Sequence, residues 1–156
     1  MLYRRYKPED FAALYAIEEA CFQPPLRFSR RYMRQLVNNP AAATWIAEQD
    51  GRMAGFAIVE CMQDEDATVA YIQTIEVAAE RRRQGIAGEL LRNVEASARA
   101  AGAHTIWLHV DAENSAAILL YERRGYAGQG RAERYYARNR AALVYSKKLQ
   151  DDPNAA

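Results

Sequence analysis

The run Arg82-Arg83-Gln84-Gly85-Ile86-Ala87-Gly88 constrains this chain more than any other. A strand-like stretch at 71–77 precedes it, and a helical pattern at 85–101 follows it, with Gly102 placed to end that helix. Two glycines and an alanine at a strand-to-helix junction leave backbone N–H groups uncovered. Those groups sit at the positive end of a helix dipole, which suits a phosphate or diphosphate. A strand end beside a helix start also points to a layered α/β sheet.

The rest of the pattern agrees. Leu2–Arg5 reads as a first strand. Pro8, Glu9 and Asp10 favour a helix start, and Phe11, Leu14, Tyr15, Ile17 and Cys21 recur at helical spacing until Gln23-Pro24-Pro25. Ser29 is placed to cap a second helix that ends before Pro40. Strands are predicted at 44–48, 53–62 and 69–77, with Asp50-Gly51 as a hairpin turn. After the helix at 85–101 come a strand at 105–110, a helix capped by Asn114 and stopped by Gly125, and strands at 126–129 and 143–148. The chain shows no internal repeat and no dividing linker, and its 156 residues suit one domain.

Charge and cysteine content exclude several classes. Lys and Arg total 21 against 20 Asp and Glu, so a net charge of +1 supplies no bulk attraction to nucleic acid or to an anionic membrane. Cys21 and Cys61 lack metal-binding or redox spacing and read as reduced structural residues. No run has the length of a membrane span, and the first residues lack an apolar leader core. A cytoplasmic protein without a metal is expected, as monomer or homodimer.

Two blocks carry a resemblance. The first, residues 75–91, contains Arg82, Gly85 and Ala87 at the spacing R/Q-x-x-G-x-G/A. The second, residues 108–126, contains Asn114, Tyr121 and a closing Gly125-Tyr126 pair. On these residues the chain resembles the Gcn5-related N-acetyltransferase (GNAT) superfamily across essentially its whole length. The resemblance implies an α/β, single-domain GNAT fold over 1–149, with a mixed central sheet of six to seven strands flanked by about four helices, and a disordered tail at 150–156. Within the superfamily it is most similar to the RimI-like protein N-terminal acetyltransferases. Tyr135-Tyr136 match a tyrosine pair that covers the acceptor's N-terminus in those enzymes. Tyr71 with His109 resembles a eukaryotic subset in which the two positions work together through a water; bacterial RimI-like enzymes more often carry Glu at the second.

The resemblance further implies acetyl-CoA as cosubstrate. Its diphosphate would lie on the backbone of Arg82, Arg83, Gln84, Gly85, Ile86, Ala87 and Gly88. Its pantetheine would pair with Ile75, Glu76 and Val77 as an added strand, with Val77 N–H as oxyanion donor and Asn114 either bonding the pantetheine or capping its own helix. Missing Cβ atoms at Gly85 and Gly88 are expected to admit the cofactor. Tyr121, two helical turns after Asn114 on the same face, would protonate the leaving sulfur and line the cofactor site. The plain reading of Arg81-Arg82-Arg83 is a solvated face.

Proton affinities bear on the acceptor. A histidine near ~6.5 lies about 2 kcal/mol below an α-ammonium near ~8 and about 5 kcal/mol below a lysine near ~10.4. His109 is therefore better matched to an N-terminal α-amine. Glu76 is the rival base; strict alternation points it away from Tyr71, and a bulge in that strand would reverse this. Leu26 and Phe28, after Pro24-Pro25, are candidates for an apolar acceptor pocket alongside Tyr135 and Tyr136. The expected function is acetyl transfer to a protein or peptide N-terminal amine by direct attack in a ternary complex. Alternatives are a small-molecule or lysine acetyltransferase, and an acetyl-CoA-binding sensor without turnover.

Overall fold

Alternation along the strands divides the core in two. In β2 (Ala42–Gln49), Ile46 joins one buried cluster and its neighbour Ala47 the other. In β3 (Arg52–Asp64), Phe56 and Ile58 face one way and Ala57 and Val59 the other. A sheet buried on both faces needs helices on both sides. The computed structural model supplies them for residues 1–149, which are the residues it describes. The tail expected at 150–156 lies outside that range.

The remaining elements are β1 (Leu2–Arg5), α1 (Phe11–Cys21), α2 (Arg30–Asn38), β4 (Ala67–Val77), α3 (Ile86–Ala100), β5 (Ala103–Asp111), α4 (Ser115–Arg123), β6 (Ala127–Ala137) and β7 (Arg140–Lys148). Among the described residues these strands form one seven-stranded sheet in the order β1-β2-β3-β4-β5-β7-β6. Only β4 and β5 pair in parallel; the other neighbours are antiparallel. None of these helices is long and apolar enough to cross a membrane.

Local chemistry sets the helix ends. Asp10 accepts from the Lys7 N–H at 2.7 Å in a short turn before α1, and Arg4 clamps the same carboxylate with two bonds of 2.8 Å. Ser29 caps α2 by accepting from the Tyr32 N–H at 3.1 Å, as its sequence position predicts. The apolar faces of α1 and α2 (Phe11, Leu14, Ile17, Met33, Leu36) seal one side of β2–β4. On the other side α3 buries Ile86, Leu90, Leu91, Val94 and Ala98. Fully burying a side chain such as Leu14, Phe56 or Leu90 contributes about 1.5–3 kcal/mol.

Two departures from the sequence pattern shape the site. Register passes from Ile58↔Thr74 to Val59↔Ile72, so Gln73 bulges out of β4. The bulge resets alternation and turns Glu76 to the α1 side. The strand predicted at 126–129 is instead β6, running to Ala137, and Tyr126 is a buried core residue whose hydroxyl donates to Glu95 at 2.7 Å. Within β6, Ala132 pairs with Ala142 and Ala137 with Arg140, so residues 133–136 leave the ladder, with Arg134 at φ 55°. That excursion carries Tyr135 and Tyr136 over the sheet.

Candidate active site

The parallel pairing of β4 with β5 runs from Thr68↔Ala103 to Ile72↔Leu108 and stops. Beyond Ile72 the strands part, while β3 still pairs with Thr74, Ile75, Glu76 and Val77. The β5-side edge of 75–77 is thus open to an added strand. β4 ends at Val77, and one short turn, Ala79–Arg81, leads to the loop before α3.

In that loop Arg83 and Gly85 adopt left-handed conformations, φ 65° and 77°. Gly85 is the N-cap of α3, so the helix starts at Ile86, one residue later than the sequence pattern suggests: a positive φ cannot continue a right-handed helix. No side chain caps this end. The N–H groups of Ile86, Ala87 and Gly88 therefore have no intrahelical acceptor, and the dipole adds positive potential there. A Cβ built on Gly85 would meet nothing within 4 Å. At Gly88 the missing Cβ also makes room for the Arg124 guanidinium, whose Nη1 donates to Gly88 O at 3.4 Å. Arg82 and Arg83 are exposed, as a solvated face requires, and Arg81 is half-buried. Arg81 donates to Gln49 Oε1, and Arg82 donates from the surface to Val77 O at 3.3 Å and Cys21 Sγ at 3.6 Å.

Across the gap, Tyr71 Oη and His109 Nδ1 lie 2.8 Å apart. Tyr135 stacks on the His109 ring with centroids 4.4 Å apart and planes within 4°. Tyr136 stands perpendicular to Tyr135 at 4.8 Å. Burial lowers the His109 pKa from its ordinary value. Burial and the adjacent Tyr135 push the Tyr71 phenol far up, so it stays protonated. Tyr121, on α4, is buried edge-on against Tyr126 at 5.5 Å, and burial with nearby Tyr136 raises its phenol too. Asn114 Oδ1 caps α4 by accepting from the Ala117 N–H at 3.1 Å, which leaves the side-chain NH2 outside the cap.

The remaining candidates separate. Phe28 packs on the α1–α2 core and edge-on to Tyr32 at 5.0 Å, while Leu26 is half-buried in the same segment. Glu76 is on the Tyr71 side of the sheet, yet only 3% exposed. It accepts from Thr74 Oγ1 at 2.7 Å, and burial together with the Glu18 carboxyl raises its pKa well above the carboxylate range. Cys21 donates to Val77 O at 3.6 Å, and burial pushes its thiol up. Sequence reading missed Glu18, Tyr32 and Arg124. Burial, then the nearby Glu60 and Tyr135, raise the pKa of the Tyr32 phenol, which places it beside the Tyr135 ring. The helical register of Glu18 with Leu14 and Cys21 was the one available signal that it faces inward. Among the described residues no group of three or more His, Cys, Asp or Glu side chains could hold a metal ion.

The acetyltransferase (GNAT) family profile matches residues 11–126. The [ribosomal protein bS18]-alanine N-acetyltransferase of Escherichia coli is 38% identical over 88 residues, which cover 56% of this chain and 57% of that relative. The match thus spans little more than half of the relative's length. The crystal structure of the ribosomal-protein-S18-alanine N-acetyltransferase from Escherichia coli superposes with a TM-score of 0.83 at 25% identity, over 99% of this chain and 98% of that one. Arabidopsis thaliana NAA60, solved with a bisubstrate analogue, has the same fold, with a TM-score of 0.82 at 23% identity over 97% and 99% of the two chains.

Proposed function

This chain belongs to the acetyltransferase (GNAT) family, and on that premise we propose that it transfers acetyl from acetyl-CoA to the free α-amine of a protein or peptide. The observation that carries the acceptor assignment is the Tyr71–His109 hydrogen bond under the Tyr135 ring. It sets a weak base and a neutral phenol beside the gap where β4 and β5 part. The similarity to an enzyme named for acetylating a ribosomal-protein alanine supports the same acceptor class.

The residues fit the cosubstrate on two counts: the open edge of 75–77 and the uncapped start of α3. Backbone N–H groups of residues 83–88 hold the diphosphate, and residues 75–77 pair with the pantetheine. Bound acetyl-CoA supplies an activated acyl group as a thioester. Asn114 offers its NH2 to a pantetheine carbonyl. Tyr135 and Tyr136 cover the acceptor's first residue, with Leu26 and Phe28 bordering its side chain.

His109, directly or through Tyr71 and a water, accepts the proton that the amine gives up as its nitrogen forms the new C–N bond. Val77 N–H donates to the carbonyl oxygen as charge builds there. Tyr121 gives its proton to sulfur as the C–S bond breaks. The buried position of Glu76, sealed against Glu18, argues for His109 as the base. A Cys21 thiol held protonated supports direct attack rather than an acetyl-enzyme.

Incubation of purified protein with acetyl-CoA and a mixed panel tests this: peptides with free N-termini, N-terminally blocked lysine peptides, and polyamines, with products read by mass. Acetylated α-amines are expected. Products confined to ε-amines or polyamines would overturn the acceptor class, and cofactor binding without any product would overturn turnover itself.

A further inference from the structure

Glu18 and Glu76 are buried carboxyls on facing elements, α1 and β4, at 1% and 3% exposure. Each has one oxygen bonded. Glu18 Oε2 accepts from the Phe28 N–H at 3.1 Å, and Glu76 Oε2 from Thr74 Oγ1 at 2.7 Å. Each leaves its other oxygen, Oε1, buried with no donor from the rest of the described protein. Two facing carboxylates would be unsatisfied acceptors and like charges in a site sealed from water. One proton removes both defects, because a protonated carboxyl donates where a carboxylate only accepts.

The position of the pair gives it a purpose. The bonds of Glu18 reach into segment 22–28, which borders the acceptor side. Phe28 is held at both backbone groups, its N–H by Glu18 and its carbonyl by the Tyr15 hydroxyl at 2.9 Å. Glu76 lies between Ile75 and Val77 on the strand assigned to the pantetheine. The two carboxyls therefore tie the acceptor-side segment to the cofactor strand.

We propose that Glu18 is a positioning residue for the acceptor amine: a one-proton carboxyl pair with Glu76 fixes it where it holds Phe28, and so the acceptor wall, in register with the cofactor strand. This rests on the acceptor reading given above. The raised pKa of Glu76 agrees with a proton shared by the pair. The other groups facing the pair are the Thr74 hydroxyl, the Cys21 thiol and, through Cys21, the Arg82 guanidinium. When the proton is lost to solvent at high pH, two like charges face each other and segment 22–28 loosens.

Two readouts need no turnover. Infrared spectra at pH 7 are expected to show a protonated carboxyl C=O band that vanishes in the Glu18→Gln/Glu76→Gln double variant. Hydrogen exchange at the Phe28 amide is expected to speed up in Glu18→Leu and to return to the wild-type rate in Glu18→Gln, whose amide keeps both contacts. In turnover, Glu18→Leu should raise the acceptor KM about tenfold, the scale of one buried hydrogen bond, with acetyl-CoA affinity within about twofold. Glu18→Gln should restore KM and abolish its rise at high pH. No such band in the wild-type protein, Phe28 exchange indifferent to Glu18→Leu, or a Glu18→Leu effect confined to kcat would each overturn the proposal. If the band and exchange behave as expected but the wild-type protein acetylates no amine, the acceptor reading fails and the positioning role falls with it.

Discussion

Tyr71 Oη and His109 Nδ1, on adjacent parallel strands, stand 2.8 Å apart where the two strands begin to part. The bond occupies one ring nitrogen, and the stacked Tyr135 covers one ring face. The pair is thus oriented before any substrate arrives, which is how a positioned base gains over one in water.

Replacing His109 with Ala should lower kcat/KM by about 10²–10⁴ and leave acetyl-CoA affinity unchanged. Its pKa is lowered by burial, so the neutral base persists below the ordinary histidine range. Activity should fall as pH drops through that lowered value, and the wild-type limb above neutrality should follow the acceptor ammonium near ~8. A pH–rate profile of both proteins checks this; an unchanged acid limb in His109→Ala removes the base assignment.

Tyr121→Phe keeps the ring against Tyr126 and loses only the hydroxyl. The chemical step in single-turnover mixing should slow at least about tenfold, with thermal stability nearly intact. An unaltered single-turnover rate would remove Tyr121 as the acid.

Gly85→Ala introduces no clash, because nothing lies within 4 Å of the new Cβ, yet it forces φ 77° on a residue that resists it. The cost should be about 1–2 kcal/mol of stability, together with weaker acetyl-CoA binding. Melting curves and calorimetry read the two effects separately. A variant as stable as the wild-type protein would show that the loop does not need the left-handed conformation.

Most of this fold was legible because its strands alternate and its helices carry plain signals, such as Ser29 before α2 and Asn114 before α4. The two glycine-bearing blocks likewise pointed to a helix start within one residue of Ile86 and to a buried Tyr121 on α4. What escaped depends on contacts between distant segments. Local alternation left the side of Glu76 open until strand pairing showed the Gln73 bulge, and the 133–136 excursion, set by the same kind of pairing, carries β6 beyond its predicted end. That Gly88 also makes room for Arg124, far along the chain, is not readable locally. Glu18 looks like any helical glutamate until Glu76 is found opposite it.

The same pair makes a stability prediction with a definite sign. Glu76 has a raised folded-state pKa, so its stabilising contribution is complete below the unfolded carboxyl range near ~4.3 and is lost as pH rises towards the folded value. Glu76→Gln does not titrate, and its amide donates to Glu18 at every pH. The Tm of Glu76→Gln relative to wild type should therefore increase from about pH 4 upwards and level off once pH passes the folded-state value. A constant difference would contradict a raised pKa at this position.

Every step proposed for the site requires acetyl-CoA to sit between the open edge of 75–77 and the start of α3. Titration of the isotope-labelled protein with acetyl-CoA, followed by amide NMR, tests this directly. The amides of residues 75–77 and 83–88 should shift together and saturate with one cofactor per chain. Saturable shifts elsewhere with these amides unmoved, or no shifts at all, would contradict the account.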